Sequence, residues 1–258
     1  MSKTKKISLA LAAIIIAASP LTATAEPLLK GDGTTVNPQQ YSIQNKLVLE
    51  SKLKEAEKYV KEKMANIKAN ENNSGTYAVQ PPFDNDYGKV NRVGQYIQAL
   101  SNTCGPAAAR NLISGYVQYN GGSTPYESEL STALYTDEDG TNFDSNIWNP
   151  LLNNYAPGNS YALEWATSSW ITGLTTRVMA TIDRSNNYNI IANINHSYTS
   201  TPIHPVYKNG AAHYVTVYGY NNNPGIYYIS DSNGVTGVTY TTGYTNLANS
   251  TQARGIIW

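Results

Sequence analysis

Apolar residues fall at Leu49, Leu53, Ala56, Val60, Met64 and Ile67, three or four positions apart, in a stretch otherwise made largely of Lys and Glu. That rhythm predicts an amphipathic helix over residues 39–69. Glu50, Glu55, Glu57 and Glu62 interleave with lysines at helix-pair spacing, which supports it. Residues 70–88, rich in Asn and Gly and carrying Pro81-Pro82, read as a linker, and a compact domain begins near Val90.

Within that domain the helical patterns come first and the strands late. "GPAAARNLISGYVQY" predicts a helix with Pro106 in its first turn and Gly121-Gly122 ending it. "STPYESELSTALYT" opens a second, with Thr124, Pro125 and Glu127 as its start signal. "NIWNPLLNNYA" and "TTRVMATIDRSN" predict two more. The pattern then switches to period two. Residues 189–194, 213–220 and 225–232 read as strands, the last two as a hairpin across "NNNP". "GVTYTTGYTNL" and "RGIIW" add further strands. The class expected is α+β.

The first 25 residues change the picture. Lys3, Lys5 and Lys6 precede the apolar run "ISLALAAIIIAA", and Pro20 and Ala23-Thr24-Ala25 follow it. This is a signal peptide with cleavage after Ala25, too short to span a bilayer. The expected product is secreted, and the pattern suits a bacterial cell. Three lysines leave with the signal, so eighteen basic residues become fifteen against eighteen acidic ones, a net charge of −3. That balance argues against a nucleic-acid partner. After the signal no run suits a membrane. Residues 26–90 are then a helical segment and linker, either an attached layer or an inhibitory propeptide, and 91–258 form the main domain.

The chain has one cysteine, so no intrachain disulfide is available. Cys104 stands where a loop meets the helix of "TCGPAAARN". A helix start carries partial positive charge and unsatisfied N–H groups, which push a thiol toward thiolate. Gly105 would let substrate approach the backbone, and Ala107, Ala108 and Ala109 would let the helix pack closely on a sheet. The backbone N–H of Cys104 would face an oxyanion.

A nucleophilic thiol needs a base, and the chain has three histidines. His204 lies between prolines and His196 ends a strand. His213 opens an alternating strand, which would hold it rigidly at a cleft, so it is the candidate. The base needs an acceptor for its Nδ1–H. If Tyr220 pairs with Ile226, His213 lies opposite Asn233 with Asp231 as its same-face diagonal neighbour. Asp231 is preferred as a carboxylate, with Asn233 the alternative. A one-residue slip would turn Asp231 away unless a bulge restored it. Gln98, six residues before Cys104, is the candidate second oxyanion donor, with Gln95 its competitor.

These residues resemble a known family. "QALSNTCGPAA" and "GAAHYVTVYGYNNNPGIYYISDS" are similar to the papain-like cysteine peptidases related to bacteriocin-processing (double-glycine leader) peptidases. The order Gln, Cys, His, Asp agrees over roughly residues 90–233. The resemblance implies a papain-like fold with the nucleophile's helix packed on a C-terminal antiparallel sheet. It implies Cys104 as nucleophile, His213 as base and acid, Asp231 as orienter and Gln98 as oxyanion donor, acting on peptide or protein substrates. Ser232 stands where the family commonly has proline. Two other readings remain: a cell-wall peptide amidase or endopeptidase, and a non-catalytic binding protein on the same scaffold. The acidic turn Asp137, Glu138, Asp139 and Asp144 lacks calcium-loop spacing. No zinc ligand set or phosphate-binding glycine loop is evident, so no metal and no cofactor are expected.

Overall fold

The computed structural model describes residues 43–73, 84–85, 87–196, 202–207 and 211–258, together with two short paired strands, β1 Leu28–Leu29 and β2 Thr35–Val36. The signal sequence read over 1–25 lies outside the described residues. So do 74–83 of the linker.

The main body is a mixed helix and antiparallel-sheet structure. The strands are β3 Asp84–Asn85, β4 Gly88–Val90, β5 Leu163–Trp165, β6 Ile190–Asn195, β7 Ala212–Asn221, β8 Ile226–Asp231, β9 Thr239–Gly243 and β10 Gly255–Ile257. They run in the order β3-β4-β7-β6-β10-β5, with β8 and β9 added beyond β7. Every pairing is antiparallel.

Period-two alternation on the central strands gives the sheet two apolar faces. One carries Ile191, Tyr214 and Ile257 and packs against helix α2, Cys104–Asn120, through Ala108 and Leu112. Helices α3, Glu127–Ala133, and α4, Ser145–Tyr155, complete that layer with Leu130, Trp148 and Leu152. The other face carries Ile190, Ala192, Ile194, Val215, Val217 and Ile229. It packs against helix α5, Trp170–Ile182, and helix α6, Tyr244–Thr251. The long helix α1, Ile43–Asn73, lies on this second side, against α5.

Helix α1 buries Ala56, Val60 and Ile67, the core of the predicted stripe. Two polar residues are also buried, Asn45 and Lys52. The Asn45 amide donates to the Leu163 carbonyl at 3.0 Å. The Lys52 ammonium donates to the carbonyls of Trp258 and Ser160 at 2.5 and 3.2 Å and lies over the Trp258 ring. Burial holds its pKa well below the usual lysine range, with the Arg184 charge adding to the effect. An apolar-stripe reading cannot see such residues, because their burial depends on carbonyls 108 to 206 residues away.

Four local expectations need correction. Strand β5 breaks the helices-first order; three residues at the sheet edge are too short to show a period. Helix α5 begins at Trp170, earlier than predicted, because Trp170 and Leu174 are buried on its inner face. The strand predicted for "GVTYTTGYTNL" splits at Gly243 into β9 and α6. Leu247 and Thr251, four apart, turn inward there. Helix α3 starts after Tyr126, whose backbone N–H donates to Glu129 at 2.7 Å, rather than at Thr124.

Candidate active site

Helix α2 starts with Cys104 itself, and it ends where Gly121 takes φ 84°, a left-handed backbone suited to glycine. The three alanines after Pro106 are buried and let α2 lie close to β7. The Thr216 hydroxyl on β7 donates to the Ala108 carbonyl at 2.9 Å. Gly105 has a different role from the one expected. A Cβ there would stand 2.5 Å from Thr141 Oγ1, so the glycine admits the 136–142 turn against α2, not a substrate.

His213 is the second residue of β7 and is buried. Its imidazole and the Cys104 thiol lie close enough to shift each other's pKa. The backbone N–H groups of Tyr214 and Gly105 also reach the sulfur. On the other side, His213 Nε2 lies 2.8 Å from Asp231 Oδ1. The expected atom was Nδ1. With Nε2 committed to the acid, Nδ1 is the atom left to the thiol.

The β7–β8 register explains how Asp231 arrives there. Near the turn, Tyr220 pairs with Tyr227, one residue off the expected ladder. An irregularity between Val217 and Gly219 then shifts the pairing, so that Val215 faces Asp231. The bulge restores Asp231 to the His213 face. The bulged residue, Tyr218, gives its carbonyl to the Asn91 N–H at 2.8 Å.

Asp231 is fully buried. Its Oδ1 also accepts the Asn233 N–H at 2.9 Å. Its Oδ2 accepts the hydroxyls of Tyr207 and Tyr240 at 2.7 and 2.9 Å. Asn233 therefore supports the acid, and its side chain donates to the Tyr207 hydroxyl at 3.2 Å. Tyr207 and Tyr240 escaped the sequence reading. Extending the ladder to β9 would have found Tyr240, since its partner Ile229 stands two before Asp231. Tyr207 comes from an isolated turn, Pro205–Tyr207, which has no period to read.

The electrostatics follow from this geometry. Burial alone would raise the Cys104 pKa, but the His213 hydrogen bond and charge and the two N–H groups outweigh it and lower it. Burial would lower the His213 pKa, yet Asp231 and Cys104 push it up to about 10. Burial would raise the Asp231 pKa, and His213, the Asn233 N–H and Tyr207 bring it below the usual range. All three directions favour the charged forms: thiolate, imidazolium and carboxylate.

Gln98 lines a cleft of about 450 Å³ together with Leu100, Tyr207, Ala212, His213 and Asn233. Its amide nitrogen donates to the Leu100 and Ser101 carbonyls at 2.9 and 3.3 Å. Gln95, the competitor, is exposed. The other histidines lie apart from the thiol. His196 is buried, stacks on Tyr207 at 5.1 Å and shares a 3.3 Å contact between Nδ1 and the Ser250 hydroxyl. Burial and the His213 charge depress its pKa to about 4, so it is neutral. His204 Nδ1 accepts the Val206 N–H at 3.3 Å.

A second cavity, of about 490 Å³, lies between α1 and α4. Asn45, Asn149 and Asn153 line it, and their amides are spent on each other and on the backbone of Leu163 and Tyr161. The acidic turn has structural roles: Asp137 accepts the Asp139 N–H, and Asp144 caps α4 through the Asn146 N–H at 2.8 Å. Among the described residues, no three His, Cys, Asp or Glu side chains gather as a metal site.

Residues 87–255 match the Peptidase_C39 like family. The chain belongs to that family. The family match supports a cysteine peptidase, and so a peptide or protein substrate class. No curated protein matches the chain. The matched span takes in Gln98, Cys104, His213 and Asp231, and it begins after α1. Among the described residues no helix is long and apolar enough to cross a membrane.

Proposed function

We propose that this C39-like protein is a secreted peptidase of papain-like fold that hydrolyses peptide bonds through Cys104, His213 and Asp231. The observation that carries the proposal is the buried Asp231 carboxylate 2.8 Å from His213, whose imidazole in turn bears on the Cys104 thiol. A scaffold used only for binding has no need to lower the pKa of a thiol against its own burial.

In the first half-reaction the Cys104 sulfur attacks the substrate carbonyl carbon, and its oxygen takes the negative charge. The Cys104 N–H and the Gln98 amide stabilise that oxyanion. For this the Gln98 nitrogen gives up its longer hydrogen bond, to Ser101. The C–N bond then breaks, and the imidazolium gives its proton to the leaving amine. In the second half, neutral His213 takes a proton from water. The resulting hydroxide attacks the thioester, and the acid product leaves the restored thiolate. Asp231 keeps the imidazole in place throughout and favours its charged form. Residues 1–25 are the signal that directs export, cut after Ala25. Helix α1 stays attached as a layer of the folded protein.

The test is alkylation of the purified protein by iodoacetamide across pH 5–9, beside a His213→Ala variant. Wild type should label quickly, with an apparent thiol pKa below the roughly 8.5 of free cysteine, and the variant should lose both properties. Slow, ordinary titration in both would end the proposal. Peptide mixtures, with Cys104→Ala as the blank, then define the bond cleaved.

A further inference from the structure

Asp231 and Ser232 are adjacent, and each holds a different candidate catalytic group. Asp231 fixes His213. The Ser232 carbonyl accepts the Gln98 backbone N–H at 2.9 Å, and the Ser232 hydroxyl donates to Gln98 Oε1 at 3.2 Å. Ser232 is almost fully buried. These contacts decide which way the glutamine amide faces. The end that meets the Leu100 and Ser101 carbonyls must be the nitrogen, because carbonyls only accept. The oxygen end then needs a donor, and Ser232 supplies it. The last torsion of a glutamine is broad and weakly preferred on its own. With both ends held, the amide has one orientation.

We propose that Ser232 is a positioning residue for the Gln98 amide, so that one dipeptide at the end of β8 sets both the base and the oxyanion donor. This rests on the thiol-peptidase reading above. The Ser232 side chain acts on kcat through Gln98. Its hydroxyl is spent on Gln98, whereas His213 is held by Asp231, and so it leaves the Cys104–His213 pair alone.

Four proteins test this on one cleaved peptide: wild type, Ser232→Ala, Gln98→Ala and the double variant. Gln98→Ala should lower kcat by about 10²-fold, the scale of one lost oxyanion donor. Ser232→Ala should lower kcat by about tenfold, as a misplaced rather than absent donor, with KM and the Cys104 alkylation profile unchanged. In the Gln98→Ala background, Ser232→Ala should cost nothing further. Ser232→Thr, which keeps the hydroxyl, should restore most of kcat. The proposal is overturned if Ser232→Ala is neutral, if its loss falls on KM or the thiol pKa, or if the same loss persists without Gln98. Thermal melts of each variant separate a folding defect, which would lower kcat in both backgrounds alike. A Cys104→Ala protein that still cleaved the peptide would sink the underlying reading, and this one with it.

Discussion

Asp231 and Asp183 take nearly the same set of donors. Asp231 accepts Tyr207, Tyr240, the Asn233 N–H and His213. Asp183 accepts Tyr59, Tyr220 and Lys63, each at 2.8–2.9 Å. Each carboxylate thus has two phenols and one cationic partner. The difference lies in what the cation touches next. His213 lines an open cleft and turns its other nitrogen to the thiol. Lys63 turns to the Tyr220 hydroxyl and is enclosed between α1 and the sheet. The Asp231 cluster is drawn from within the span matched to the family, whereas two of the three Asp183 donors belong to α1, outside it. A carboxylate's own hydrogen bonds therefore do not tell a reactive site from a joint between layers.

The largest test removes one half of the joint. Deleting residues 26–86 strips α1 from α5 and exposes the surface covered by Leu49, Ala56, Val60 and Met64. Each such buried side chain is worth about 1–3 kcal/mol, so the sum rivals the whole stability of a domain. The expected product is aggregated or lacks a cooperative melt. An inhibitory propeptide would give the reverse, a folded product with raised activity. The geometry favours the layer, since α1 lies on the face opposite α2.

Removing the cation from each cluster comes next. His213→Ala should cut turnover by about 10³-fold or more, with a modest change in melting temperature. Lys63→Met should leave turnover within about twofold and cost about 1–2 kcal/mol of stability, through hydrogen bonds lost by Asp183 and Tyr220. Equal effects on turnover would dissolve the distinction between the clusters.

Neutralising each acid sharpens the comparison through pH. The active form needs thiolate and imidazolium together. Activity should rise through the lowered Cys104 pKa and fall as His213 loses its proton near its pKa of about 10. Asp231→Asn removes the anion that raises the His213 pKa, so the alkaline limb should move to lower pH and turnover should drop about 10²–10⁴-fold. Stability follows the same sign. A raised histidine pKa stabilises the fold fully below about 6.5 and loses that contribution as pH climbs toward 10. Asp231→Asn should flatten that slope, whereas Asp183→Asn should leave both the profile and the slope as they were.

Sequence patterns exposed these two clusters unequally. Local spacing pointed to Cys104, and a single hairpin ladder pointed to Asp231. That ladder started one residue out near the turn, and only the bulge at Tyr218 brought it back. No composition or period predicts where a bulge falls, so the register was under-determined until Asn91 was seen to bind the Tyr218 carbonyl. The tyrosines on Asp231 come from a turn and a third strand, 24 and 9 residues away. The joint was less legible still. Its donors from α1 lie 120 and 124 residues from Asp183, and a Lys on a helix reads as solvated until the opposite surface is known. The Nδ1 expectation failed for a related reason: which ring nitrogen meets the acid depends on how the strand enters the cleft.

The smallest effects probe the phenols. Tyr240→Phe deletes one hydroxyl bond to Asp231 and keeps the ring, which sits 4.9 Å from His204. Asp231 retains Tyr207, Asn233 and His213, so its charge stays satisfied in part. A hydrogen bond to a charged group is worth about 1.5–3 kcal/mol, and its loss frees the carboxylate to shift and misalign His213. Turnover should fall a few-fold, and the alkaline limb should hold near its wild-type position because the His213–Asp231 contact survives. Tyr220→Phe removes the corresponding bond to Asp183 and one from Lys63. It should lower the melting temperature by about 2–6 °C and leave turnover alone. If Tyr240→Phe instead acts only on the melt, the phenols are packing elements in both clusters, and the reactive site differs from the joint by its histidine and thiol alone.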